Sequence, residues 1–336
     1  MVQAKIQAIS YYLPEKKLTN QRLSESFPEW SVDKISSKTG IYIRRIASEN
    51  EYSSDLAIAA AERLFDENKI DRKSVDFILF CTQSPDYFLP TTACIIQDKL
   101  NIPTSAGALD FNLGCSGYVY GLSLAKGLIA ANIATNVLLL TSETYSKFIH
   151  PQDKSNRTIF GDAAAATLIA KDNGCCELGD FELGTDGAGR ENLIVKNRGI
   201  RNFNLKGNDF FDIDGNYLRN DDFLYMNGGE IFKFTSEAVP KLINNLLHKS
   251  KLGIEEIDLF IFHQANAFML NHIRKKLKIE ESKFFLFLEN CGNTVSSTIP
   301  IALKEAIEQR KIKPNDKVLL AGFGVGYSWG ATILQF

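Results

Sequence analysis

A chain of 336 residues exceeds the usual size of one domain, so we expect two packed halves or one large α/β unit. Hydrophobic residues make up 45% of the chain and charged residues 23%, close to the globular average, which argues against extensive disorder. The net charge is −2 and no long run of one sign occurs, so we expect no nucleic acid as the main partner.

The sequence predicts a cytoplasmic protein without a membrane span. Residues 1–18 contain charges and a proline, unlike a signal peptide, and no apolar stretch reaches the roughly 18 residues of a membrane helix. The six cysteines are too few and too irregular for a disulfide framework, and no CxxC pair suggests zinc. We therefore expect reduced thiols and no metal.

The predicted elements alternate between short apolar strands and amphipathic helices. Residues 53–65 place apolar side chains at helical spacing behind a serine cap. Residues 77–80 and 137–140 are apolar runs bounded by polar or turn residues, as buried strands are. This alternation is typical of an α/β protein in which helices cover mostly buried sheets.

Two segments of the first half are echoed in the second. Residues 75–83 read VDFILFCTQ and residues 257–265 read IDLFIFHQA, while NVLLL at 136–140 is matched by KVLLA at 317–321. The two echoes have nearly the same offset, which predicts a duplicated unit with halves at 1–172 and 173–336. The alternative is that apolar strands of any α/β protein look alike.

A candidate nucleophile, Cys115, lies in the turn Gly114-Cys115-Ser116-Gly117, between an apolar strand and a long apolar helix. A cysteine on such a turn is exposed at the end of a sheet, and the helix N-terminus there favours thiolate over thiol. The flanking glycines permit a turn that a Cβ would obstruct. The alternative, a buried structural cysteine, is common for this residue type.

Two further candidates lie in the second half. His263 follows an apolar strand, so it faces the crevice where α/β proteins bind ligands, although an isolated histidine is more often a structural residue. Asn293 lies in a Gly-Asn-Thr turn before a predicted helix, a pattern also found in ordinary caps. Residues 322–330, GFGVGYSWG, follow a strand and offer backbone amides to an oxyanion. They do not open a helix, which argues against a nucleotide-binding loop.

In order along the chain, these segments resemble the β-ketoacyl-acyl carrier protein synthase III family. The resemblance covers essentially the whole length, and its landmarks are ISYYLPEKKLTN, KTGIYIRRIA, LGCSG, FGDAAAA, HQAN, GNTVSS and GFGVGYSWG. It implies a thiolase-like α/β fold, in which two duplicated βαβαβαββ halves form a five-layer αβαβα arrangement. It also implies a homodimer.

The resemblance further implies a reaction, a decarboxylative Claisen condensation in fatty-acid synthesis. Cys115 would be the acylated nucleophile, with His263 and Asn293 completing the triad, and the amides of Cys115 and Val325 would form the oxyanion hole. The thiolate takes an acyl group from a thioester, and a malonyl-acyl carrier protein then loses CO₂ to give the attacking enolate. Acyl carrier protein and acyl-coenzyme A are the implied partners, and no metal or other cofactor is implied.

The predicted substrate contacts depart from the family pattern. The family grips the adenine and phosphates of coenzyme A with tryptophan and arginines, but Lys34, Lys38 and Lys154 stand at the corresponding positions. Lysine keeps the charge and loses the stacking and the bidentate geometry of arginine. The other substrate contacts that the resemblance implies are Leu89, Phe232 and Asn266.

The predicted carrier-docking surface also differs from the family. Phe268 replaces a basic docking residue, while Arg274, Lys275 and Lys276 still offer a basic helix face. This face has a plainer interpretation as a solvated helix surface. These changes leave open whether the first acyl donor is coenzyme A or a carrier protein.

Three other functions remain as alternatives. The first is a specialised condensing enzyme or acyltransferase of secondary or surface-glycolipid metabolism. The second is a cysteine hydrolase, since Cys, His and Asn in this order also describe papain-like proteases, but the local papain signature is absent. A non-catalytic subunit is disfavoured because all three reactive side chains are present.

Overall fold

The computed structural model describes residues 3–336. The strands in this part of the chain are β1 Ala4–Tyr12, β2 Lys17–Thr19, β3 Ile43–Arg45, β4 Phe77–Cys81, β5 Gly107–Phe111, β6 Asn136–Glu143, β7 Ala163–Lys171, β8 Cys176–Thr185, β9 Leu193–Val195, β10 Phe210–Phe211, β11 Tyr217–Arg219, β12 Leu224–Met226, β13 Leu259–Phe262, β14 Lys317–Gly324 and β15 Ser328–Gln335. The α-helices are α1 Asn20–Ser26, α2 Val32–Thr39, α3 Ser53–Asn68, α4 Thr92–Lys99, α5 Gly117–Ala130, α6 Lys154–Arg157, α7 Gly228–Ser250, α8 Ala267–Lys276 and α9 Thr298–Glu308.

Nine of these strands form one mixed sheet in the order β13-β14-β15-β8-β1-β7-β6-β4-β5. In the first half, β4 runs parallel to β5 and β6, and β7 runs antiparallel to β6 and β1. In the second half, β13 runs parallel to β14, and β15 runs antiparallel to β14 and β8. Beside β13, a parallel bridge between Phe260 and Phe284 takes the place that β5 takes beside β4. The echoed sequence segments therefore occupy equivalent strands.

Helices separate and cover the two halves of the sheet. Helices α5 and α9 share a central apolar layer with strands of both halves, as in the packing of Leu122 and Leu303 with Leu139 and Leu320. Helices α3 and α4 cover the outer face of the first half, and α7 and α8 cover that of the second. Burial of both faces explains why the central strands are continuously apolar. The predicted α/β fold with five αβαβα layers is confirmed.

The two halves meet where β1 pairs antiparallel with β8. The predicted division between residues 172 and 173 falls in the turn that joins β7, ending at Lys171, to β8, starting at Cys176. The independence of the two halves as domains stays a prediction, because hydrogen bonds cross this division. Within residues 3–336, no helix is both long and apolar enough to cross a membrane.

Candidate active site

The turn that carries Cys115 is packed against the Gly-rich strand end of the second half. A Cβ on Gly324 would lie 2.8 Å from both Cβ and Sγ of Cys115, and a Cβ on Gly322 would lie 2.7 Å from the carbonyl oxygen of Cys115. Such distances are shorter than real side chains tolerate, so this close approach requires glycine. Helix α5 begins two residues later, at Gly117. The structure thus brings two predicted motifs together.

The surroundings of the Cys115 thiol favour its protonated form. Burial raises the pKa of Cys115 to about 12, although the backbone N–H groups of Val325 and of Cys115 itself bond to the sulfur and lower this pKa. The charge of Glu143 raises it further. The shift of this pKa is therefore opposite to the expectation that the helix N-terminus favours the thiolate, because desolvation is its largest cause. The two amides predicted as an oxyanion hole both face the sulfur.

His263 is fixed as a neutral ring at the end of β13. Its backbone N–H donates to Ala321 O at 2.8 Å, and its ring lies edge-on to Phe323 with centroids 5.8 Å apart. The side chain is 2% exposed, and this burial lowers the pKa of His263 to about 3. Nδ1 lies 2.7 Å from Thr298 Oγ1. Nε2, on the opposite side of the ring, is the nitrogen left for the cavity that His263 lines.

Three hydrogen bonds fix Asn293 in the turn that precedes α9. Its Oδ1 accepts the N–H of Val295 at 2.9 Å, its backbone N–H donates to Ile159 O at 2.9 Å, and its carbonyl accepts the N–H of Gly161 at 2.9 Å. Val295 has φ +55°, an unfavourable conformation for a β-branched residue, so this turn is imposed by its contacts. Because Oδ1 is occupied, the Nδ2 group of Asn293 is the donor left for a ligand.

Cys115, His263 and Asn293 line one cavity of about 270 Å³. Phe232 and Asn266, two of the predicted substrate contacts, also line it, and Phe268 stands at its rim with 64% of its surface exposed. The remaining lining residues are mostly apolar: Ile159, Phe160, Leu193, Met226, Gly228, Ile231, Thr235, Ala265, Met269, Phe323 and Gly324. An apolar cavity with a few convergent polar groups is typical of a small-molecule site.

The predicted lysines lie apart from the triad. Lys154 Nζ bonds to Glu29 Oε1 and to Asn216 Oδ1, each at 2.8 Å. The Nζ atoms of Lys34 and Lys38 each lie 5.4 Å from the ring of Trp30. Among the described residues that line the cavity, none of the three lysines is present. They form a surface cluster whose charges are already partly matched.

Leu89 also lies outside the cavity. It is 86% exposed, in a loop whose neighbouring Tyr87 and Phe88 are also exposed. Its predicted contact with substrate is not made within this chain and stays a prediction for an assembly of two chains.

The basic face of α8 is less free than the sequence suggests. Arg274 bonds to Glu281 Oε2 at 3.2 Å and to Ile279 O at 3.2 Å. Lys276 Nζ donates to Ser236 O at 2.8 Å, whereas Lys275 is exposed. Carrier docking at this face stays a prediction, in which Lys275 is the most available charge.

Sequence reasoning missed two polar groups behind the triad. Thr298 contacts His263, as described above, and Glu143 is a wholly buried carboxylate that accepts bonds from Gln83 N, Ser84 Oγ and Ser296 Oγ at 3.0–3.3 Å. An acidic residue ending the apolar run NVLLLTSE was a usable signal for Glu143. Thr298 has no such signal, because its contact with His263 spans 35 positions.

A larger cleft of about 620 Å³ lies between α7 and β15. Phe234, Tyr327 and Trp329 form its aromatic wall, and Glu230 and Lys233 lie at its edge. Cys115, His263 and Asn293 do not line this cleft, and all three line the smaller cavity. Within residues 3–336, no group of three or more His, Cys, Asp or Glu side chains is arranged to hold a metal ion.

Comparisons with known proteins agree with this geometry. Residues 109–187 match the family model for 3-oxoacyl-[acyl-carrier-protein] synthase III, and residues 247–336 match the model for its C-terminal part. The β-ketoacyl-[acyl-carrier-protein] synthase III of Clostridium perfringens is 36% identical over 100% of both chains. The enzyme of the same name from Natranaerobius thermophilus is 37% identical, also over 100% of both chains.

A solved structure indicates the same family. The crystal structure of a 3-oxoacyl-(acyl-carrier-protein) synthase III is 49% identical, covers 99% of this chain and 100% of its own, and superposes with a TM-score of 0.96. Cys115 lies within the first stretch that the family models match, and His263 and Asn293 lie within the second. The chain therefore belongs to the β-ketoacyl-[acyl-carrier-protein] synthase III family, the condensing enzymes of fatty-acid synthesis.

Proposed function

We propose that this enzyme condenses an acyl thioester with a malonyl-acyl carrier protein in two half-reactions at Cys115. The observation that supports this most directly is the convergence of Cys115, His263 and Asn293 on one apolar cavity, with two amides facing the sulfur. A thiolate nucleophile, amide donors for an oxyanion and side-chain donors for an enolate are the parts that such a reaction needs.

In the first half-reaction, the sulfur of Cys115 attacks the carbonyl carbon of the donor thioester. The carbonyl oxygen becomes an oxyanion, which the N–H groups of Cys115 and Val325, both directed toward the sulfur, stabilise. The carbon–sulfur bond to the donor then breaks, and the departing sulfur receives the proton that Cys115 has lost. Neutral His263 offers Nε2 as the carrier of that proton.

In the second half-reaction, the malonyl thioester loses CO₂ and leaves an enolate. The Nδ2 group of Asn293 and an N–H at Nε2 of His263 donate to the enolate oxygen. An amide suits this position because it cannot ionise and oppose the developing charge. The enolate carbon attacks the acyl carbonyl, and breakage of the thioester to Cys115 releases the β-ketoacyl product and restores the thiol after protonation.

The proposed partners are acyl carrier protein and acyl-coenzyme A. Lys34, Lys38 and Lys154 would hold the donor's phosphates by charge, and Lys275 with its neighbours on α8 would dock the carrier. The surface-glycolipid and other specialised branches use the same chemistry on other acyl groups, so they remain alternatives to a short starter.

We also propose a cytoplasmic homodimer. Strand β5 is an edge strand with β4 as its neighbour, and Leu109 on it is 38% exposed, which favours pairing with a second copy. The exposed Leu89 loop would be covered in such a dimer. Free thiols at Cys94 and Cys175, both exposed, suit a reducing compartment. Sedimentation equilibrium tests the dimer, and a monomer at micromolar concentration would contradict it.

Intact mass spectrometry tests the reaction. Incubation with matched acyl-coenzyme A and acyl-carrier donors should give an acyl adduct on Cys115 that persists until malonyl-acyl carrier protein is added. Rapid loss of the adduct to water would favour a hydrolase. An adduct that passes to an alcohol or amine instead would favour a specialised acyltransferase.

A further inference from the structure

The hydroxyl of Thr298 stands between two groups that compete for its one proton. Thr298 Oγ1 lies 2.7 Å from Nδ1 of His263 and 3.0 Å from the carbonyl oxygen of Val295. A hydroxyl donates one hydrogen bond and accepts others, whereas a carbonyl can only accept. The Val295 carbonyl also bonds to the His263 ring, so an Nδ1–H has two oxygens to which it can donate. An unprotonated Nδ1 has only the Thr298 O–H as a donor, so this hydroxyl determines whether the tautomer with its proton on Nε2 is supported.

Two arrangements satisfy these contacts. If the O–H points to Val295 O, then Nδ1–H donates to Oγ1 and Nε2 faces the cavity as an acceptor. If the O–H points to Nδ1, then Nε2 carries the proton and faces the cavity as a donor. In the second arrangement the Val295 carbonyl keeps a hydrogen-bond donor, because the backbone N–H of Thr298 also donates to Val295 O. Both arrangements are thus hydrogen-bonded, and a rotation of the hydroxyl separates them.

The ring itself cannot adjust in another way. His263 is 2% exposed, its backbone is bonded to β14 through Ala321 O, and Phe323 lies against the ring. The carbonyl of Val295 is held as firmly, since the same turn is tied to Asn293 Oδ1. The rotatable Thr298 hydroxyl is therefore the mobile element of this contact.

We propose that Thr298 is a positioning residue that gives His263 both neutral tautomers at similar cost, one for each half-reaction. The inference rests on the proposed function. Acyl transfer uses Nε2 as an acceptor, which takes the proton of the Cys115 thiol and passes it to the departing donor sulfur. Decarboxylation uses Nε2–H as a donor to the enolate oxygen, beside Asn293.

The proton balance closes over one cycle. After acyl transfer, the proton from Cys115 leaves on the donor's thiol and His263 returns to its Nδ1–H form. Before the extender binds, the ring takes a proton at Nε2 from water and releases the proton at Nδ1 to water, while the Thr298 O–H turns to Nδ1. After condensation, the released Cys115 sulfur takes one proton from water, and the reverse exchange returns the ring to its Nδ1–H form. The ring therefore gains no proton in total, each turnover consumes one proton from water, and no oxidant or reductant is needed.

The test uses Thr298→Val, which keeps the β-branched shape and removes the hydroxyl, and Thr298→Ser, which restores it. ¹⁵N NMR of histidine-labelled full-length enzyme without substrate measures the tautomer, and His263→Ala identifies the signal among the four histidines. We expect both tautomers in the parent and in Thr298→Ser, and the Nδ1–H form alone in Thr298→Val. Decarboxylation of malonyl-acyl carrier protein should fall about tenfold in Thr298→Val, because the tautomer with its proton on Nε2 loses the hydrogen bond from the Thr298 hydroxyl. Acylation of Cys115 should change less than about threefold.

Unchanged tautomer populations in Thr298→Val would overturn the proposal. So would equal losses in both half-reactions together with a lowered melting temperature, since these indicate a merely structural role. Because the NMR measurement needs no substrate, it is independent of the proposed function. Failure of the acyl adduct to form on Cys115 in the parent enzyme would instead contradict the function.

Discussion

The triad and the lysine cluster of this enzyme are built in opposite ways. Cys115, His263 and Asn293 are at most 6% exposed, and main-chain bonds or glycine contacts fix each of them. Lys34 and Lys38 are exposed and Lys154 is half-buried, and their partners are a tryptophan ring and a carboxylate on flexible side chains. The proposed reaction therefore depends on groups that the fold fixes, whereas the proposed donor contacts depend on flexible surface side chains.

The largest effect should come from Cys115→Ala. We expect complete loss of acyl-enzyme formation with little change in melting temperature, because alanine retains the Cβ and removes the nucleophilic sulfur. Intact mass spectrometry with an acyl donor measures the adduct. The matched control is Cys94→Ala, which removes an exposed thiol and should leave the adduct unchanged. Acyl labelling that survives in Cys115→Ala would show that another cysteine is the nucleophile.

The next largest effect should come from His263→Ala and Asn293→Ala. Each removes a donor to the enolate, and loss of one such donor typically lowers a rate by about 10²–10³. We expect this loss in decarboxylation of malonyl-acyl carrier protein for both variants. Acylation of Cys115 should change much less in Asn293→Ala, whereas His263→Ala should also acylate more slowly, because it lacks the nitrogen that takes the Cys115 proton. Release of CO₂ and the mass of the acyl-enzyme measure the two steps separately. Variants that decarboxylate normally but acylate poorly would reverse the assigned roles.

Gly324→Ala tests whether packing fixes the nucleophile. Its Cβ would lie 2.8 Å from the Sγ of Cys115, so the sulfur or the loop must move. A misplacement near 1 Å can cost about 10² in rate, and we expect a loss of acylation of this order. Gly127→Ala in α5 is the control, since its Cβ meets nothing within 4 Å. Equal acylation rates in both variants would mean that the close approach at Gly324 has no catalytic value.

Glu143 should make the stability of the protein depend on pH. It is buried behind the triad, and it has no basic partner among residues 3–336. Burial raises the pKa of Glu143 from 4.5 to about 8. The folded state therefore binds this proton more tightly than the unfolded state, so its stabilising contribution is complete below about pH 4.5 and is lost as pH rises through 8.

Glu143→Gln should remove this dependence. We expect the free energy of unfolding of the variant, relative to the parent, to increase by about 1–3 kcal/mol between pH 5 and pH 8.5. Urea unfolding at the two pH values measures this change. The control is Glu25→Gln in α1, which makes the same substitution at an exposed side chain. A constant difference across this range would show that Glu143 is already ionised in the folded protein.

The contrast between the two regions also explains what the sequence could predict. The echo of VDFILFCTQ and IDLFIFHQA predicted equivalent strands, because buried parallel strands must be continuously apolar. The triad motifs were visible because glycines and turns surround them. The raised pKa of Cys115 was not predictable, since it depends on how completely distant segments exclude water. The pairing of Lys154 with Glu29 was missed for a similar reason, because it joins side chains 125 positions apart.

The smallest effect should arise at the lysine cluster and concerns the choice of donor. Glu29 Oε1 lies 2.8 Å from Lys154 Nζ, and this bond lowers the pKa of Glu29, so the carboxylate competes with any phosphate for the lysine. Exposed ion pairs contribute about 0.2–1 kcal/mol, so Glu29→Gln should lower the KM for an acyl-coenzyme A donor by at most about fivefold. The gain should vanish at high salt, because the Debye length falls from about 10 Å at 0.1 M to 3 Å at 1 M.

Acylation rates with coenzyme A and carrier donors at both salt concentrations measure this effect, and the carrier donor should be the faster one throughout. A coenzyme A donor that equals the carrier donor and ignores both Glu29→Gln and salt would show that the lysines do not bind the donor, and that coenzyme A is held inside the cavity instead.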